Sequence, residues 1–381
     1  MILMMKRFQF VTWAGGGNLY PAVGIGVELA KRGHSISFLG EESQRSRIEG
    51  AGIAFTPYAR MPGGRFEPPG PEDRLGHLID DVWLNTDLGD DVIAELEERR
   101  PNIVIVDCML VGVLARSAEF GVPTAVLVHG LFQSVLPMRD FLVSFGNQRR
   151  VESARPSLAV EDLKWENKDL VVVTSIHELD GVTADPAPNV RYVGPVLPPA
   201  SSSRWPLPWD DDGTPLVLAS LSTMPGQGDP VLAQRILDAL GTVSVHVVMT
   251  TGALPPETLT APPNAVVCSF APHQDILPRC DVMITHGGHG SVMGALAKGV
   301  PLVCIPGSAA DQPIVAGRVE QVGAGRTITA NDVPEELPDA VRKVTTDDAY
   351  RHAAQHLQKI IALNDGPLGG ASVIERWSGV R

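Results

Sequence analysis

Thr285-His286-Gly287-Gly288-His289-Gly290-Ser291 is the stretch of this chain with the clearest capacity for chemistry. Its glycines let an anion approach the backbone, and His286 and the Ser291 hydroxyl can add side-chain donors. The apolar run Cys280-Asp281-Val282-Met283-Ile284-Thr285 before it reads as a buried strand, and Val292 to Lys298 after it as a helix closed by Gly299. A glycine turn between strand and helix aims several N–H groups and the positive end of a helix dipole at one point, which suits a phosphate or diphosphate. Such turns also join strands to helices with no ligand at all, so the glycines by themselves decide nothing.

The rest of the chain supplies the elements that would position this turn. Phe8 to Trp13 is a short apolar run, followed by Gly15-Gly16-Gly17, a helical pattern from Tyr20 to Arg32 and a second apolar run from His34 to Leu39. That is a βαβ unit, hence a parallel sheet with a right-handed crossover. The alternation continues through Ile103–Val106, a helix over Leu110–Phe120, Thr124–Val128 and Leu170–Thr174. A second series runs through strands at Leu216–Leu221, Val243–Met249, Ala265–Ser269 and Pro301–Ile305, with helices at Val231–Leu240, Asp311–Val322 and from Val333 to Leu363. The expected fold is α/β, with two Rossmann-like doubly wound domains facing across a cleft. The boundaries expected are residues 1–197, a linker over 198–214, and 215–381, with the last helix a candidate to pack back on the first domain. Pro198 to Pro215 has linker chemistry, and Asp210-Asp211-Asp212-Gly213 within it reads as a solvated turn, so no metal site is expected there.

Composition narrows the function. At 381 residues the chain suits two domains, and 44% hydrophobic with 20% charged residues describes an ordinary globular protein. A net charge of −13 argues against nucleic acid or an anionic membrane surface as partner. No apolar run reaches the length of a membrane span, and the opening residues read as a first core strand rather than a signal peptide. Cys108, Cys268, Cys280 and Cys304 sit singly in or beside apolar runs without CxxC spacing, as buried thiols of a cytoplasmic protein would. Two segments interrupt the alternation. Residues 57–76 are rich in Pro, Gly and Arg, and Gly130 to Phe145 carries Phe132, Met138, Phe141 and Phe145, either as a core-facing helix or as the wall of an apolar pocket.

The series Phe270-Ala271-Pro272-His273, His286-Gly287-Gly288, Gly299-Val300-Pro301 and Asp311-Gln312-Pro313 resembles the nucleotide-sugar signature of GT-B glycosyltransferases, which have two Rossmann domains. It is most similar to the bacterial natural-product enzymes that decorate macrolides, enediynes and aromatic polyketides, relatives of the plant UDP-sugar transferases. The resemblance implies that Phe270 packs on a nucleobase and that His286, Gly287, Gly288, Gly290 and Ser291 hold the diphosphate. It further implies that Ser222 and Thr223 add phosphate donors, that Asp311 and Gln312 bond the sugar hydroxyls, and that Phe132, Met138 and Phe141 line an apolar acceptor site. The partners implied are a nucleotide-sugar donor and an apolar small-molecule acceptor. No cofactor or metal is implied, and a homodimer stays open.

Two departures from the pattern carry information. Plant relatives place a Glu that contacts the ribose hydroxyls where this chain has Gly294, which leans the donor towards a dTDP-sugar over a UDP-sugar. The family usually opens with Gly-His-x-x-Pro, whose His takes the acceptor proton; the matching residues here are Gly17-Asn18-Leu19-Tyr20-Pro21, and Asn18 is no base. Asp107 matches the carboxylate that orients the missing histidine. Either Asp107 or His129 acts as base, or the acceptor needs little activation, or the protein binds without turnover. The reading is an inverting, metal-independent transfer of a deoxy or amino sugar to a polyketide-like acceptor. The alternatives are a UDP-glucose-dependent small-molecule glucosyltransferase, a sugar-nucleotide epimerase of the same fold, and a silent binding partner.

Overall fold

The computed structural model describes residues 5–15, 17–61, 76, 78–152, 157–158, 163–165, 168–181, 186–199, 205–210, 212–221, 229–307 and 311–378. Two compact units divide the chain: Met1–Val196 with Asn364–Arg381, and Leu197–Leu363.

The first unit is built on seven strands, β1 (Arg7–Val11), β2 (Ser35–Gly40), β3 (Ala54–Pro57), β4 (Ile103–Asp107), β5 (Thr124–Val128), β6 (Leu170–Val173) and β7 (Val190–Tyr192). They lie in the order β3-β2-β1-β4-β5-β6-β7, and every pair is parallel. Every residue of β4, β5 and β6 is buried, as a parallel sheet covered on both faces requires. Alternate residues feed two separate cores. Val104, Val106, Val126, Val128, Val171 and Val173 go to one, and Ile103, Ile105, Ala125, Leu127, Leu170 and Val172 to the other. Helices α1 (Leu19–Lys31), α2 (Leu88–Arg99) and α3 (Phe132–Glu152) belong to this unit.

The second unit repeats the plan with β8 (Leu216–Ser220), β9 (His246–Thr250), β10 (Ala265–Cys268), β11 (Val282–Thr285), β12 (Leu302–Cys304) and β13 (Gly325–Thr327), in the order β10-β9-β8-β11-β12-β13, again all parallel. Its main helices are α4 (Pro230–Leu240), α5 (His289–Leu296), α6 (Gln312–Gln321), α7 (Val333–Thr346) and α8 (Asp348–Leu363). A last helix, α9 (Gly366–Trp377), returns to the first unit, where Ala371 and Ile374 enter the core beside Ile25 and Leu29 of α1. Polar contacts fix it there: Glu375 meets Arg32 at 3.0 Å and His34 at 2.9 Å, and Lys6 Nζ donates to the Glu375 carbonyl at 2.8 Å.

The structure corrects several local expectations. The helix read over Leu110–Phe120 is one α turn, Val111–Leu114, followed by a 3₁₀ turn at Ser117–Glu119. The strand read from Val243 begins at His246, and β3, β7, β13 and α2 had no sequence counterpart. In the acidic triplet, Asp212 accepts the Thr214 N–H at 2.9 Å, a local turn bond. Residues 62–75 of the Pro/Gly/Arg segment, and Asp211, lie outside the described residues.

Candidate active site

In both sheets the strand order reverses between two neighbouring strands, β1 and β4 in the first and β8 and β11 in the second. Doubly wound folds bind ligands outside the carboxyl ends of the strands at such a reversal. Asn18 and Asp107 stand at the first of these places, and His286, Gly287, Gly288, Gly290 and Ser291 at the second.

In the second unit Thr285 ends β11 opposite Ser220 of β8. Gly287 follows with φ +82°, and a Cβ on it would lie 2.9 Å from the Gln312 carbonyl oxygen, so both conformation and space require glycine. Gly288 caps α5 with extended backbone and makes no side-chain cap bond, and Gly290 and Ser291 fall in the first turn, whose N–H groups lack intrahelical partners. Among the described residues, the Thr285 hydroxyl and His286 Nδ1 are buried without a hydrogen-bond partner. Buried polar atoms are seldom left so, and two in succession at a glycine turn fit a place that a ligand completes. Burial is the largest influence on His286 and lowers its pKa against the opposing effects of the Ser220 backbone and Asp311, which makes it a neutral donor.

Around this turn, Phe270 is 79% exposed, so its ring is not part of a core. His273 reaches back to the Thr250 hydroxyl at 3.0 Å, and burial pushes its pKa down. Asp311 precedes α6 without a side-chain cap bond, while Gln312 is buried with Oε1 accepting the Gly307 N–H at 2.9 Å. The oxygen of Gln312 is therefore committed to the backbone. Gly294 is buried in α5, and a Cβ there would face Gln274 Nε2 at 3.6 Å and Leu277 Cδ1 at 3.7 Å. Ser222 and Thr223 lie outside the described residues.

In the first unit the centre is Asp107, the last residue of β4 and only 3% exposed. Its Oδ1 accepts from Trp13 Nε1 at 3.0 Å and from the Met109 N–H at 2.9 Å. Its Oδ2 accepts from Asn18 Nδ2 at 3.1 Å and lies 3.2 Å from His129 Nδ1. Asn18, 1% exposed, also donates to the Trp13 carbonyl at 2.9 Å and accepts the Gly15 N–H at 3.1 Å, so it clamps the turn after β1 to the carboxylate. His129 follows β5, with its side chain 20% exposed and Cys108 Sγ 3.6 Å from Nδ1.

The charges follow from this geometry. Burial, the largest influence on each, opposes both charged forms, yet His129 with the Met109 and Asn18 donors holds Asp107 below the usual carboxylate range. Asp107 and Cys108 raise His129 well above the ordinary histidine value. Burial pushes the Cys108 thiol up. Asp107, Cys108 and His129 each bring a potential metal-ligating atom within 4.8 Å of the others, but the Asp107 oxygens already carry four polar contacts.

The aromatic segment after β5 is α3, whose start is held by Asp180: Phe132 N–H and Gln133 N–H donate to its carboxylate at 2.7 and 2.9 Å. Of the expected acceptor residues, Phe132 is buried with its ring 5.9 Å from Trp165, and Met138 is half-buried against the same core. Phe141 is 56% exposed and stacks on Phe145. Trp13 escaped the sequence reading; its position at the end of the first apolar run, beside the glycine turn, was the available signal. Among the described residues no helix is long and apolar enough to cross a membrane.

Residues 234–369 match the family described as erythromycin biosynthesis protein CIII-like, C-terminal domain. Over 98% of its length the chain is 27% identical to the 4'-demethylrebeccamycin synthase of Lentzea aerocolonigenes, covering 99% of that protein. Over 97% it is 26% identical to the demethyllactenocin mycarosyltransferase of Streptomyces fradiae, covering 86%. Among solved structures it is similar to the calicheamicin glycosyltransferase CalG4, with a TM-score of 0.79, 24% identity and 98% of each chain covered. It is also similar to glycosyltransferase VinC in complex with dTDP, with a TM-score of 0.69, 20% identity and 98% and 99% coverage. With its ordered donor signature and two Rossmann-like units, the chain has the GT-B fold and is similar to glycosyltransferases of the natural-product type.

Proposed function

We propose that this chain transfers a deoxy or amino sugar from a dTDP-sugar to an apolar natural product, with inversion and without a metal. The observation that carries the reading is the turn at Thr285–Ser291, where a left-handed Gly287, the start of α5 and the unpartnered Thr285 hydroxyl and His286 Nδ1 converge. Departure of a nucleoside diphosphate develops negative charge, and fixed N–H donors with a helix dipole stabilise it with little reorganisation. A neutral His286 adds a donor. The exposed ring of Phe270 is available to stack on a base, and Asp311 stands at the start of α6 as an acceptor for sugar hydroxyls. Gly294 supports dTDP, because no carboxylate occupies that position to pair with the two hydroxyls of a ribose. Inversion follows from one displacement at the anomeric carbon between two oriented partners.

Calorimetric titration with dTDP and UDP at matched salt, followed by assay of acceptor-dependent diphosphate release from a dTDP-sugar, tests the reading. Preference for dTDP with acceptor-dependent release is the expected result. Binding of neither nucleotide refutes the donor site, and preference for UDP refutes the dTDP assignment. The absence of the usual histidine at position 18 favours one other reading, a nucleotide-sugar binder without turnover, for which nucleotide binds and no acceptor releases diphosphate.

A further inference from the structure

We propose that His129, oriented by Asp107, is the base that removes the acceptor's proton, the function having moved from the turn after β1 to the end of β5. The inference rests on the transferase reading and goes beyond it, since nothing in that reading says which group takes the proton.

The argument begins with the sheet order. β1, β4 and β5 are adjacent and parallel, so their carboxyl ends deliver the turn bearing Trp13 and Asn18, then Asp107, then His129, to one edge. One carboxylate oxygen, Asp107 Oδ2, faces both Asn18 Nδ2 at 3.1 Å and His129 Nδ1 at 3.2 Å. A histidine at position 18, just before α1, and a histidine after β5 can thus address the same oxygen, and this chain carries only the second. Asn18 is excluded as base by its chemistry and by its three bonds to Trp13, Gly15 and Asp107. Asp107 is excluded as the direct base because it is 3% exposed and each of its oxygens already meets two donors. His129 keeps its side chain 20% exposed and turns Nδ1 to the carboxylate, while its other ring nitrogen makes no hydrogen bond to the described residues. A carboxylate at one imidazole nitrogen fixes the tautomer and stabilises the imidazolium formed at the other, which is the arrangement of a general base.

The step balances. Nε2 accepts the acceptor's O–H proton as that oxygen bonds the anomeric carbon. The bond from the anomeric carbon to the diphosphate oxygen breaks, and its electron pair leaves with the nucleoside diphosphate. Asp107, Asn18 and Trp13 are positioning residues, acting through the orientation of the ring. The groups with a resolved influence on the His129 ring are Asp107 and Cys108, whose sulfur stands 3.6 Å from Nδ1. Together they outweigh the larger opposing effect of burial and raise its pKa well above the ordinary value, so the neutral base gains population as the pH rises above the usual histidine range.

The test uses the full chain, a dTDP-sugar and a series of phenol acceptors of graded acidity. For the wild type, transfer should climb with pH along a limb whose midpoint lies above the ordinary histidine value. His129→Asn keeps an amide donor for Asp107 but removes the base, and should lower kcat by about 10²- to 10⁴-fold, abolish that limb and leave dTDP affinity unchanged. Its deficit should shrink as the phenol becomes more acidic, a trend that a structural role does not produce. His129→Gln serves as a second variant should the first fold poorly. A wild-type limb at or below the ordinary histidine value overturns the inference without any variant. So does transfer by either variant within about threefold of wild type at every pH and with every phenol. A wild type that binds dTDP but transfers to no acceptor refutes the transferase reading, and this inference with it.

Discussion

Restoring histidine at position 18 is the substitution that a comparison with the usual family pattern invites, and the structure predicts that Asn18→His is damaging. Asn18 is 1% exposed and makes three bonds, two as donor and one as acceptor. A neutral imidazole offers one donor and one acceptor, and an imidazolium two donors and no acceptor. Either form leaves at least one buried group among the Trp13 carbonyl, the Gly15 N–H and Asp107 without its partner, at a cost of about 1–3 kcal/mol. The surroundings are also close-packed: a Cβ on Gly15 would lie 2.5 Å from the Trp13 ring and 2.8 Å from Asn18 Oδ1, so the larger ring adds overpacking of about 1–3 kcal/mol. The expected loss is therefore about 2–6 kcal/mol, a large share of the ~5–15 kcal/mol that a domain commands. Urea unfolding followed by tryptophan fluorescence reads it, and transfer kinetics on the folded protein should show no gain over wild type. A variant as stable as wild type and faster would refute both the clamp assigned to Asn18 and the assignment of His129.

Three further predictions concern other parts of the molecule. Phe270→Ala should leave unfolding free energy within about 0.5 kcal/mol of wild type, because the ring is 79% exposed, yet weaken dTDP by the ~1–3 kcal/mol typical of base stacking, as read by calorimetry. Unchanged affinity would remove Phe270 from the site. Gly287→Ala forces a side chain into φ +82° and to 2.9 Å from the Gln312 carbonyl, costing about 1–3 kcal/mol and abolishing measurable dTDP binding; a variant that binds normally would show that the turn is not the diphosphate site. For Glu375, burial is the largest influence and raises its pKa, but bonds to His34 and Arg32 with their charges outweigh it, and the net shift is downward. A depressed folded value means stability that is present above the unfolded glutamate pKa and lost as pH falls through the lower folded one. Amide exchange in α9 should accordingly accelerate in acid in the wild type and depend less on pH in Glu375→Gln, and equal pH dependence would refute the linkage.

Much of the fold was legible because parallel strands buried on both faces are continuous apolar runs. Val282–Thr285 followed by glycines and a helix could be placed within two or three residues from local pattern alone. Elements with weaker local signals were lost: β3, β7 and β13 have only three or four residues each, and α2 is a charge-rich helix whose apolar stripe is narrow. The helix read over 110–120 failed because apolar periodicity persists through Ala115 while the backbone tightens into a 3₁₀ turn at Ser117. At the sites, the types of residue were legible and their partners were not. That His129 shares an oxygen of Asp107 with Asn18 depends on β1, β4 and β5 being neighbours, an ordering that no local period encodes. Phe132 looked like Phe141 in sequence, but the helix turns the first into the core beside Trp165 and the second to the surface.

The return of α9 to the first unit fixes an order of events during synthesis. The second unit, Leu197–Leu363, is one uninterrupted segment and can complete its core as soon as it has been made. The first unit cannot, because Ala371 and Ile374 belong to its core and Glu375 closes its contacts with Lys6, Arg32 and His34. Its sheet is translated before the second unit, yet its last packing contacts arrive after. A nascent chain thus carries an unfinished apolar surface on α1 throughout translation of its neighbour, and that interval is when the protein is most exposed to aggregation and to chaperones.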